Sequence, residues 1–512
     1  MMFRMKLWWK TTMNRLRFKD FFWLGLAVIF GLLLLRYQLK LIHYIVWYDE
    51  SETIVATKMM VAGKQLYTEI FNNHGPATFI IGYVISALGN FSTQVYRIPM
   101  VILQWLALAA LYMSPIQSSS TFKRLASVVV VATFWMLFLP FIYGHAYLYQ
   151  TQSGLFFVII LAQYALPIYL DKPLNRFQRF IGPFLLSFVP FFAITNVPMV
   201  ALIVLSTLRR KDGWVPWIGY AFGGLINLIF LVSIGSIDGF FAYHVYLNAV
   251  ILNEGNGLAG YIRNVIIYYR ENFSNFLTLV ILMMATYGVT KKAQGFAILR
   301  AMMLVPMFMS LVIRGGKAYD LWGLIYLYSL SGLTLVFFMD DENTGSWINR
   351  LKDWPFAVLI LLGFYSVVRT SFIDQNMALM PSSTPFSRIV QRVTEPNDEI
   401  LAFTYRNYEY LVSDRLPASA HFYYLPMQAQ YNKNPYKNIK TNLLSDMMKA
   451  KPKLMVMDFW SSTEVPWDTY ASDIVRYVLA NYNQIGFTDM YVRKDIDLTK
   501  FGVDPNTGDI IQ

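Results

Sequence analysis

The sequence contains no cysteine, few histidines and few charged residues, and each shortage excludes a class of protein. Without cysteine there is no disulfide, no thiolate nucleophile and no Cys-ligated metal. The five histidines are far apart and show none of the pair spacings typical of zinc ligands. Charged residues make up 14% of the 512 residues, against roughly 25% in soluble domains. Because 56% of the residues are hydrophobic, the composition predicts a polytopic membrane protein.

The net charge of +12 comes from short basic clusters that lie between apolar runs. This distribution is typical of cytoplasmic loops that follow the positive-inside rule, and it argues against a nucleic-acid partner. Basic residues also precede the first apolar run, and no small-residue cleavage site follows it. We therefore expect an uncleaved first span over roughly 20–39. The N-terminus is then in the cytoplasm, and Asp49 lies outside.

The number of spans follows from where the basic clusters fall. Counting every apolar run as a crossing would place Arg209, Arg210 and Lys211 outside the cytoplasm, contrary to the positive-inside rule. The weakest run, 76–92, is short and interrupted by glycine, and we expect it to be interfacial or re-entrant. The prediction is therefore a polytopic α-helical membrane domain over 1–371 with about 11 spans. Everything after residue 371 is then extracytoplasmic.

The tail over 372–512 is polar and has the pattern of a soluble domain. Short apolar runs predict buried strands, and segments with helical spacing alternate with them. The predicted strands are 399–404, 453–459 and 489–494, and the predicted helices are 442–450 and 468–482, the second capped by Asp468. This alternation predicts a small extracytoplasmic α/β domain.

The segment "WYDESE", from Trp47 to Glu52, places three carboxylates directly after an apolar run. A carboxylate at a membrane boundary is costly unless it faces water, a partner or a substrate. The apolar positions that follow have helical spacing, so we expect a short amphipathic helix at the membrane surface. Asp49 and Glu50 lie at its N-terminal end, where the helix dipole favours negative charge. On this local pattern alone, the acids cap a helix and form part of a solvated face.

The outer loop over 40–96 also resembles the first extracytoplasmic loop of the GT-C glycosyltransferases. The nearest likeness is to the protein O-mannosyltransferases and the lipid A aminoarabinose transferases. In that family an Asp-Glu pair follows the first span, and a short helix ending in Gly, a Tyr-acid element and a basic residue before Pro come next. The matching residues here are Asp49, Glu50, Gly63, Tyr67, Glu69, His74 and Pro76. The spacing of the early helices and the strand pattern of the tail are also similar, so the likeness covers most of the chain.

The resemblance implies transfer of a sugar from a polyprenyl phosphate to a lipid, glycan or protein acceptor at the outer membrane face. It implies that Asp49 is the general base that takes the proton of the acceptor. Glu50 would orient the acceptor or stabilise the site. A lipid phosphate is already a good leaving group, so neutralising its charge matters more than protonating it. The resemblance implies no cofactor.

Three further residues of the loop are expected to bind substrate: Tyr48, Tyr67 and Glu69. His74 lies where relatives often carry Lys to hold the lipid phosphate, and a histidine there is a weaker and pH-dependent cation. The alternative for His74 is a loop histidine that caps the next helix.

A second departure from the family pattern follows the apolar run 125–143. Many relatives carry an acid there, whereas this chain reads "YGHAYLYQTQSG" and has none. Gln150 can form hydrogen bonds with a sugar or a phosphate but cannot bind a divalent cation strongly, so we expect no metal. Tyr147 is expected beside the sugar, or alternatively belongs with Tyr149 to an interfacial aromatic belt.

The stretch "IRGGKAYDLW" lies at the outer boundary between two predicted spans. Relatives use a basic, Tyr-containing stretch in this region to hold the lipid phosphate. The residues expected to do so here are Arg314, Lys317, Tyr319 and Asp320. The alternative is a Lys or Arg side chain that extends to the interface for its own solvation.

Three other functions compete with glycosyl transfer. A transporter or flippase of a lipid-linked sugar would place charges in mid-membrane and often contain repeats; here the acids cluster at one boundary, and no repeat is found. A glycopolymer polymerase or ligase usually lacks an Asp-Glu pair straight after the first span. An inactive membrane scaffold is the third alternative, because the second acid of the family is missing.

Overall fold

The structure is a computed structural model that describes most of the chain. The described residues are 18–44, 48–208, 213–251, 258–271, 273–311, 324–339, 381–403, 407–423, 427–457 and 471–511. The predicted boundary between 371 and 372, the predicted cap Asp468 and the whole stretch 313–322 lie outside these residues.

The N-terminal part is almost entirely helical wherever it is described, as its long apolar runs predict. The main α-helices are Phe18–Leu41, Tyr48–Val61, Pro76–Ser86, Thr93–Tyr112, Thr121–Phe138, Tyr149–Ile160, Arg176–Phe188, Val197–Thr207, Val215–Ser233, Leu258–Glu271, Phe273–Lys292, Phe296–Met302, Leu304–Ser310 and Leu324–Leu333, with a π-helix at Phe240–Ile251. Helix Phe18–Leu41 covers the predicted first span. Helix Tyr48–Val61 carries the acids of the outer loop and is called the loop helix below.

Three of the described helices are long and apolar enough to cross a membrane: Thr93–Tyr112, Tyr149–Tyr169 and Val215–Ser233. Several other described apolar helices are shorter, so the number of about 11 spans stays a prediction. Helix Pro76–Ser86 has 11 residues, which is about 16 Å at 1.5 Å per residue. This is shorter than a hydrocarbon core of about 30 Å, but other apolar helices of the described part are similarly short, so the interfacial or re-entrant position of 76–92 stays a prediction.

Helices Tyr149–Tyr169 and Val215–Ser233 occupy opposite environments. The first is buried along most of its length and passes through a π-helical turn at Leu161–Ala165. The second exposes a row of large apolar side chains, among them Trp217 and Phe222. An exposed apolar face of this size on a spanning helix is the surface that lipid covers. The chain is therefore a membrane protein with Tyr149–Tyr169 near its centre.

The C-terminal segment folds around a five-stranded mixed sheet, which confirms the predicted α/β character. The strands are β1 (Glu399–Phe403), β2 (Leu416–Pro417), β3 (Leu454–Met457), β4 (Tyr482–Gln484) and β5 (Met490–Arg493), in the order β2-β1-β3-β5-β4. β1 pairs in parallel with β2 and β3, whereas β5 pairs antiparallel with β3 and β4. Helices Pro385–Val393, Met427–Lys433, Leu443–Ala450 and Ser472–Asn481 accompany the sheet. β1, β3 and β5 are the predicted strands.

The outer loop and the C-terminal domain share one hydrophobic core. Its buried members come from the loop helix, the segment after it and the sheet domain, and include Val55, Met59, Phe71, Phe79, Ile389, Ile400 and Phe422. Polar contacts join the same parts: Lys58 Nζ lies 2.6 Å from Asp414 Oδ1, and Phe71 N donates to Ala420 O at 2.9 Å. The C-terminal domain is therefore fixed directly against the loop that carries the predicted catalytic residues.

Candidate functional site

The loop helix begins at Tyr48 and is buried on nearly every side. All residues from Glu50 to Thr57 are buried, and Ser51 forms a hydrogen bond with Asn407 of the C-terminal domain. The expected amphipathic helix with one solvated face is therefore wrong. The helix forms as predicted, but the C-terminal domain covers the face that local sequence assigns to water. The side chain of Tyr48 lies outside the described part.

Asp49 occupies the first turn of the loop helix and keeps part of its surface exposed. The Thr53 hydroxyl donates to its backbone oxygen at 3.0 Å. Glu52 lies three residues later, on the same face of the helix. Of the three acids in this run, Asp49 is thus the one with a partly exposed side chain, whereas Glu50 and Glu52 are buried.

Glu50 is fully buried in an ion pair with Arg97 of helix Thr93–Tyr112. The backbone nitrogen of Tyr147 donates to the same carboxylate at 2.8 Å. Of the two predicted roles, orienting the acceptor or stabilising the site, this geometry favours the second. Arg97 was not singled out by sequence reasoning, although an arginine inside an apolar run is itself a sign of a buried partner.

Glu52 is the buried centre of the cluster, and sequence reasoning gave it no role. Asn72 Nδ2 donates to Glu52 Oε1 at 2.6 Å, and His74 Nδ1 lies 3.5 Å from the same oxygen. Tyr423 of the C-terminal domain also faces this carboxyl group. Burial raises the pKa of Glu52 well above its ordinary value, and the charge of Asp49 raises it further. The sequence feature that could have identified Glu52 is its spacing of three residues from Asp49, which places both acids on one face of a helix.

His74 is held on several sides by the segment that follows the loop helix. Its backbone nitrogen donates to Asn72 Oδ1 at 2.8 Å, and its backbone oxygen accepts from the Tyr67 hydroxyl at 2.7 Å. Its ring lies 4.9 Å from that of Tyr149, centroid to centroid. The next residue, Gly75, packs so closely on Phe191 that an added Cβ would lie 1.8 Å from the carbonyl oxygen. The imidazole is therefore held in one place rather than carried by a mobile loop.

Tyr67 and Glu69 occupy different surroundings, although they are two residues apart. Tyr67 is fully buried with φ of 68° and serves His74 through the hydrogen bond described above. Glu69 is exposed and accepts from Gln65 N at 2.9 Å. It lines a cavity of about 400 Å³ between the outer loop and the C-terminal domain, together with Glu399. Of the three predicted substrate residues of the loop whose side chains are described, His74 is thus the one brought directly to Glu52.

Tyr147 and Gln150 precede and open the central helix, and both are buried. The Tyr147 hydroxyl donates to Thr78 O at 2.6 Å, so this residue is packed inside and is not part of a lipid-facing belt. Neither amide atom of Gln150 has a hydrogen-bond partner among the described residues. Buried amides are normally satisfied, so an unpaired one beside the site is suited to a ligand. In the described part of the chain, no three His, Asp or Glu side chains are grouped to hold a metal ion.

Two solved structures resemble the chain over nearly its whole length. ArnT from Cupriavidus metallidurans, bound to undecaprenyl phosphate, aligns with a TM-score of 0.54 and 11% identity, covering 91% of this chain and 97% of that chain. Its apo state gives the same TM-score and identity, with 93% and 98% covered. ArnT is a lipid A aminoarabinose transferase of the GT-C superfamily. The chain has the GT-C fold.

The resemblance predicted from the outer loop is thereby confirmed at the level of the fold. The archaeal oligosaccharyltransferase AglB from Archaeoglobus fulgidus, in complex with an inhibitory peptide and a dolichol-phosphate, aligns with a TM-score of 0.45 and 10% identity, covering 86% of this chain and 69% of that chain. That likeness supports no further argument. No family model and no curated protein matches the sequence.

Proposed function

We propose that the chain is an integral-membrane glycosyltransferase that moves a sugar from a polyprenyl-phosphate donor to an acceptor on the outer face of the membrane. The observation that carries the proposal is the position of Asp49, partly exposed and one helical turn from the buried Glu52–His74 pair. The likeness to ArnT, which was solved with undecaprenyl phosphate bound, supports a lipid-phosphate donor. The acceptor is a lipid, a glycan or a protein.

In the proposed reaction, Asp49 is the general base. It takes a proton from the acceptor hydroxyl or amine as the new bond to the sugar carbon forms. The bond between that carbon and the phosphate oxygen breaks, and the phosphate keeps the electron pair. Glu52 is less suited to be the base, because burial and the charge of Asp49 raise its pKa and so favour its protonated form. Two carboxyl groups in different environments can thus have separate roles.

The phosphate gains negative charge as it leaves, so nearby cations and donors lower the barrier. His74 is the proposed cation in the described part, held ready by Asn72 and Tyr149. Gln150 is the proposed contact to the sugar. Further contacts to the donor are proposed from Arg314, Lys317, Tyr319 and Asp320, and from Tyr48.

The proposal includes a topology: the N-terminus is in the cytoplasm, and both the outer loop over 40–96 and the domain over 372–512 are outside. The positive-inside distribution of the basic clusters supports it. A reporter that works only in the cytoplasm, fused after Gln512, should be silent. An active reporter would contradict the topology, and it would exclude an acceptor on the outer face of the membrane.

The function itself is tested by reconstitution. Purified protein in liposomes receives labelled polyprenyl-phosphate hexoses or pentoses and an extract of the cell envelope as the acceptor source. We expect label to leave the donor and appear in an envelope product with wild-type protein and with Asp473→Asn, a control for an exposed acid far from the site. Asp49→Asn should give none. Movement of intact donor across the bilayer without transfer would instead identify a flippase.

A further inference from the structure

One buried carboxyl group lies between the two residues that the proposed reaction uses. Glu52 is one helical turn after Asp49 on the same helix, and its Oε1 is 3.5 Å from His74 Nδ1. The acceptor proton is taken on one side of Glu52, and the phosphate leaves on the other. The reaction as proposed so far gives this group no task, although burying a carboxyl group is costly.

The contacts around Glu52 fix which atom of His74 faces it. Asn72 uses both ends of its amide: Nδ2 donates to Glu52 Oε1 at 2.6 Å, and Oδ1 accepts from His74 N at 2.8 Å. The ring of His74 rests against Tyr149. Nδ1 lies on the side of the carboxyl group, within ion-pair range of Glu52 Oε1 but beyond hydrogen-bond geometry. The proposed contact with the phosphate is therefore made through Nε2.

The groups that face Glu52 come from three elements. Asp49 lies on its own helix, Asn72 and His74 on the following segment, and Tyr423 on the C-terminal domain. Tyr423 stays neutral, because burial and the nearby Glu52 raise the pKa of its hydroxyl. Asp49 is therefore the neighbour whose charge changes first in the proposed reaction. While Asp49 is ionised, a second negative charge on Glu52 is disfavoured; once Asp49 is protonated, that penalty disappears.

We propose that Glu52, which faces His74 Nδ1, passes its proton to that ring when Asp49 is neutralised. The proposal rests on the proposed function, in which Asp49 accepts the acceptor proton and His74 faces the phosphate. The acceptor proton moves to Asp49, the sugar–phosphate bond breaks with its electron pair on the phosphate, and the Glu52 proton moves to His74. The total charge of the site and its ligands is unchanged, and an imidazolium forms beside the phosphate as the phosphate gains its second negative charge.

The decisive experiment measures the protonation of His74 without any turnover. Full-length protein with 15N-labelled histidine is reconstituted in liposomes, and the imidazole signals are recorded near neutral pH. His74→Gln assigns the signal among the five histidines of the sequence. Asp49→Asn mimics the protonated Asp49, and we expect it to raise the imidazolium fraction of His74.

The direction of the change in the imidazolium fraction distinguishes an effect through Glu52 from a direct effect of the Asp49 charge on His74. Removing an anion that acts directly on His74 would lower its imidazolium fraction, because the positive form loses a favourable neighbour. A rise therefore requires that a second group, Glu52, has become the anion. The rise should be absent in the double variant Asp49→Asn/Glu52→Gln, and Glu52→Asp should restore part of it. Should Asp49→Asn fail to insert, Asp49→Ser removes the same charge and supplies a good helix cap.

A fall, or no change, in the Asp49→Asn protein would overturn the proposal. So would an equal rise in the double variant. Binding of undecaprenyl phosphate alone gives a second readout: near neutral pH, Asp49→Asn should tighten it more than Asp49→Asn/Glu52→Gln does, because only the single variant gains an imidazolium at His74. The control Glu399→Gln removes a half-buried acid of the same interface that pairs with Lys64, and it should leave binding unchanged.

The two proposals fail in distinguishable ways. If the reconstituted protein transfers no sugar but Asp49→Asn still raises the imidazolium fraction of His74, the assigned reaction is wrong and the proton link stands. If transfer occurs and is lost in Asp49→Asn while the His74 signal is unmoved, the reaction stands and Glu52 is only a structural residue.

Discussion

Arg97 binds Glu50 through two parallel contacts inside the protein, Nε to Oε1 at 2.7 Å and Nη2 to Oε2 at 2.5 Å. Three backbone carbonyl groups at the end of the first helix also accept from this guanidinium, those of Leu41, Ile42 and Tyr44. A single arginine therefore ties the first span, the loop helix and helix Thr93–Tyr112 together.

Breaking this pair should destabilise the protein rather than change its chemistry. Glu50→Gln leaves a buried guanidinium without its counter-charge, which typically costs about 3–5 kcal/mol. Thermal unfolding in detergent should show a large loss of stability for Glu50→Gln. The loss should be smaller in the double variant Glu50→Gln/Arg97→Gln. The half-exposed pair of Glu399 with Lys64 is the control, with a loss below about 1 kcal/mol. Wild-type stability with lost transfer would instead mean that Glu50 orients the acceptor.

Asp49→Asn should abolish transfer in a protein that still folds. Asp49 is an acid in the first turn of the loop helix, and losing a helix cap costs about 0.5–2 kcal/mol. Losing a general base slows the reaction by roughly 10²–10⁴-fold. Single-turnover rates with bound donor, compared with Asp473→Asn, measure the effect. A near wild-type rate would return Asp49 to the role of a helix cap.

His74→Lys should remove the pH dependence of donor binding. A histidine loses its charge between about pH 5 and pH 8, so binding of undecaprenyl phosphate to the wild type should weaken over that range. A lysine beside Glu52 keeps its charge there, and the affinity should stay level. The measurement is a binding titration at both ends of the range, with His43→Lys as a histidine control at the exposed end of the first helix. A falling affinity in His74→Lys would mean that another group titrates.

Gly75→Ala should displace His74 without touching any charged group. The new methyl group would lie 1.8 Å from Phe191 O and 2.9 Å from His244 Cε1, and the backbone atom cannot move aside cheaply. We expect donor binding to be lost or strongly weakened in a protein that still inserts. Gly224→Ala is the matched control, because its Cβ meets nothing within 4 Å. Equal binding by both variants would show that the position of His74 is unimportant.

The ion pair of Asp414 with Lys58 makes the stability of the contact between the C-terminal domain and the loop helix weakly dependent on pH. The hydrogen bond from Lys58 lowers the pKa of Asp414, so its stabilising effect is complete above the ordinary carboxyl pKa of about 3.9 and is lost as the pH falls through the lowered value. Because the Asp414 side chain is 84% exposed, the effect should stay below about 1 kcal/mol. Melting temperatures between about pH 6 and pH 3 should fall less steeply for Asp414→Asn, and for Lys58→Gln, than for the wild type. Parallel curves for all three would contradict this.

The elements that could be predicted are those specified by a short, continuous sequence pattern. β1, β3 and β5 are runs of mostly buried apolar residues, and the acids Asp49 and Glu50 lie in the first turn of the loop helix, where the helix dipole favours them. β2 and β4 are two and three residues long and carry no period that could be read. The solvated face assigned to the loop helix failed for another reason: its cover, including Asn407, comes from a distant part of the chain.

The same limit applies to the site. Asp49 and His74 were identified from the likeness of one continuous loop, and both are in the cluster. The position of Glu52 in the cluster could not be predicted, because its neighbours include Tyr423, which is far from it in sequence. Glu69 matched the family pattern equally well, yet the backbone turn at Tyr67 carries it to a different cavity.

The contact between Ser51 and Asn407 joins residues that are 356 positions apart. At a synthesis rate of about 5–20 residues per second, the loop helix leaves the ribosome roughly 20–70 s before its cover is made. During that interval the C-terminal domain does not yet cover the acids of the loop, and Tyr423 is not yet present beside Glu52. A growing chain therefore holds an incomplete cluster until the C-terminal domain has been made and has docked on the loop helix, and under the proposed function such a chain is inactive.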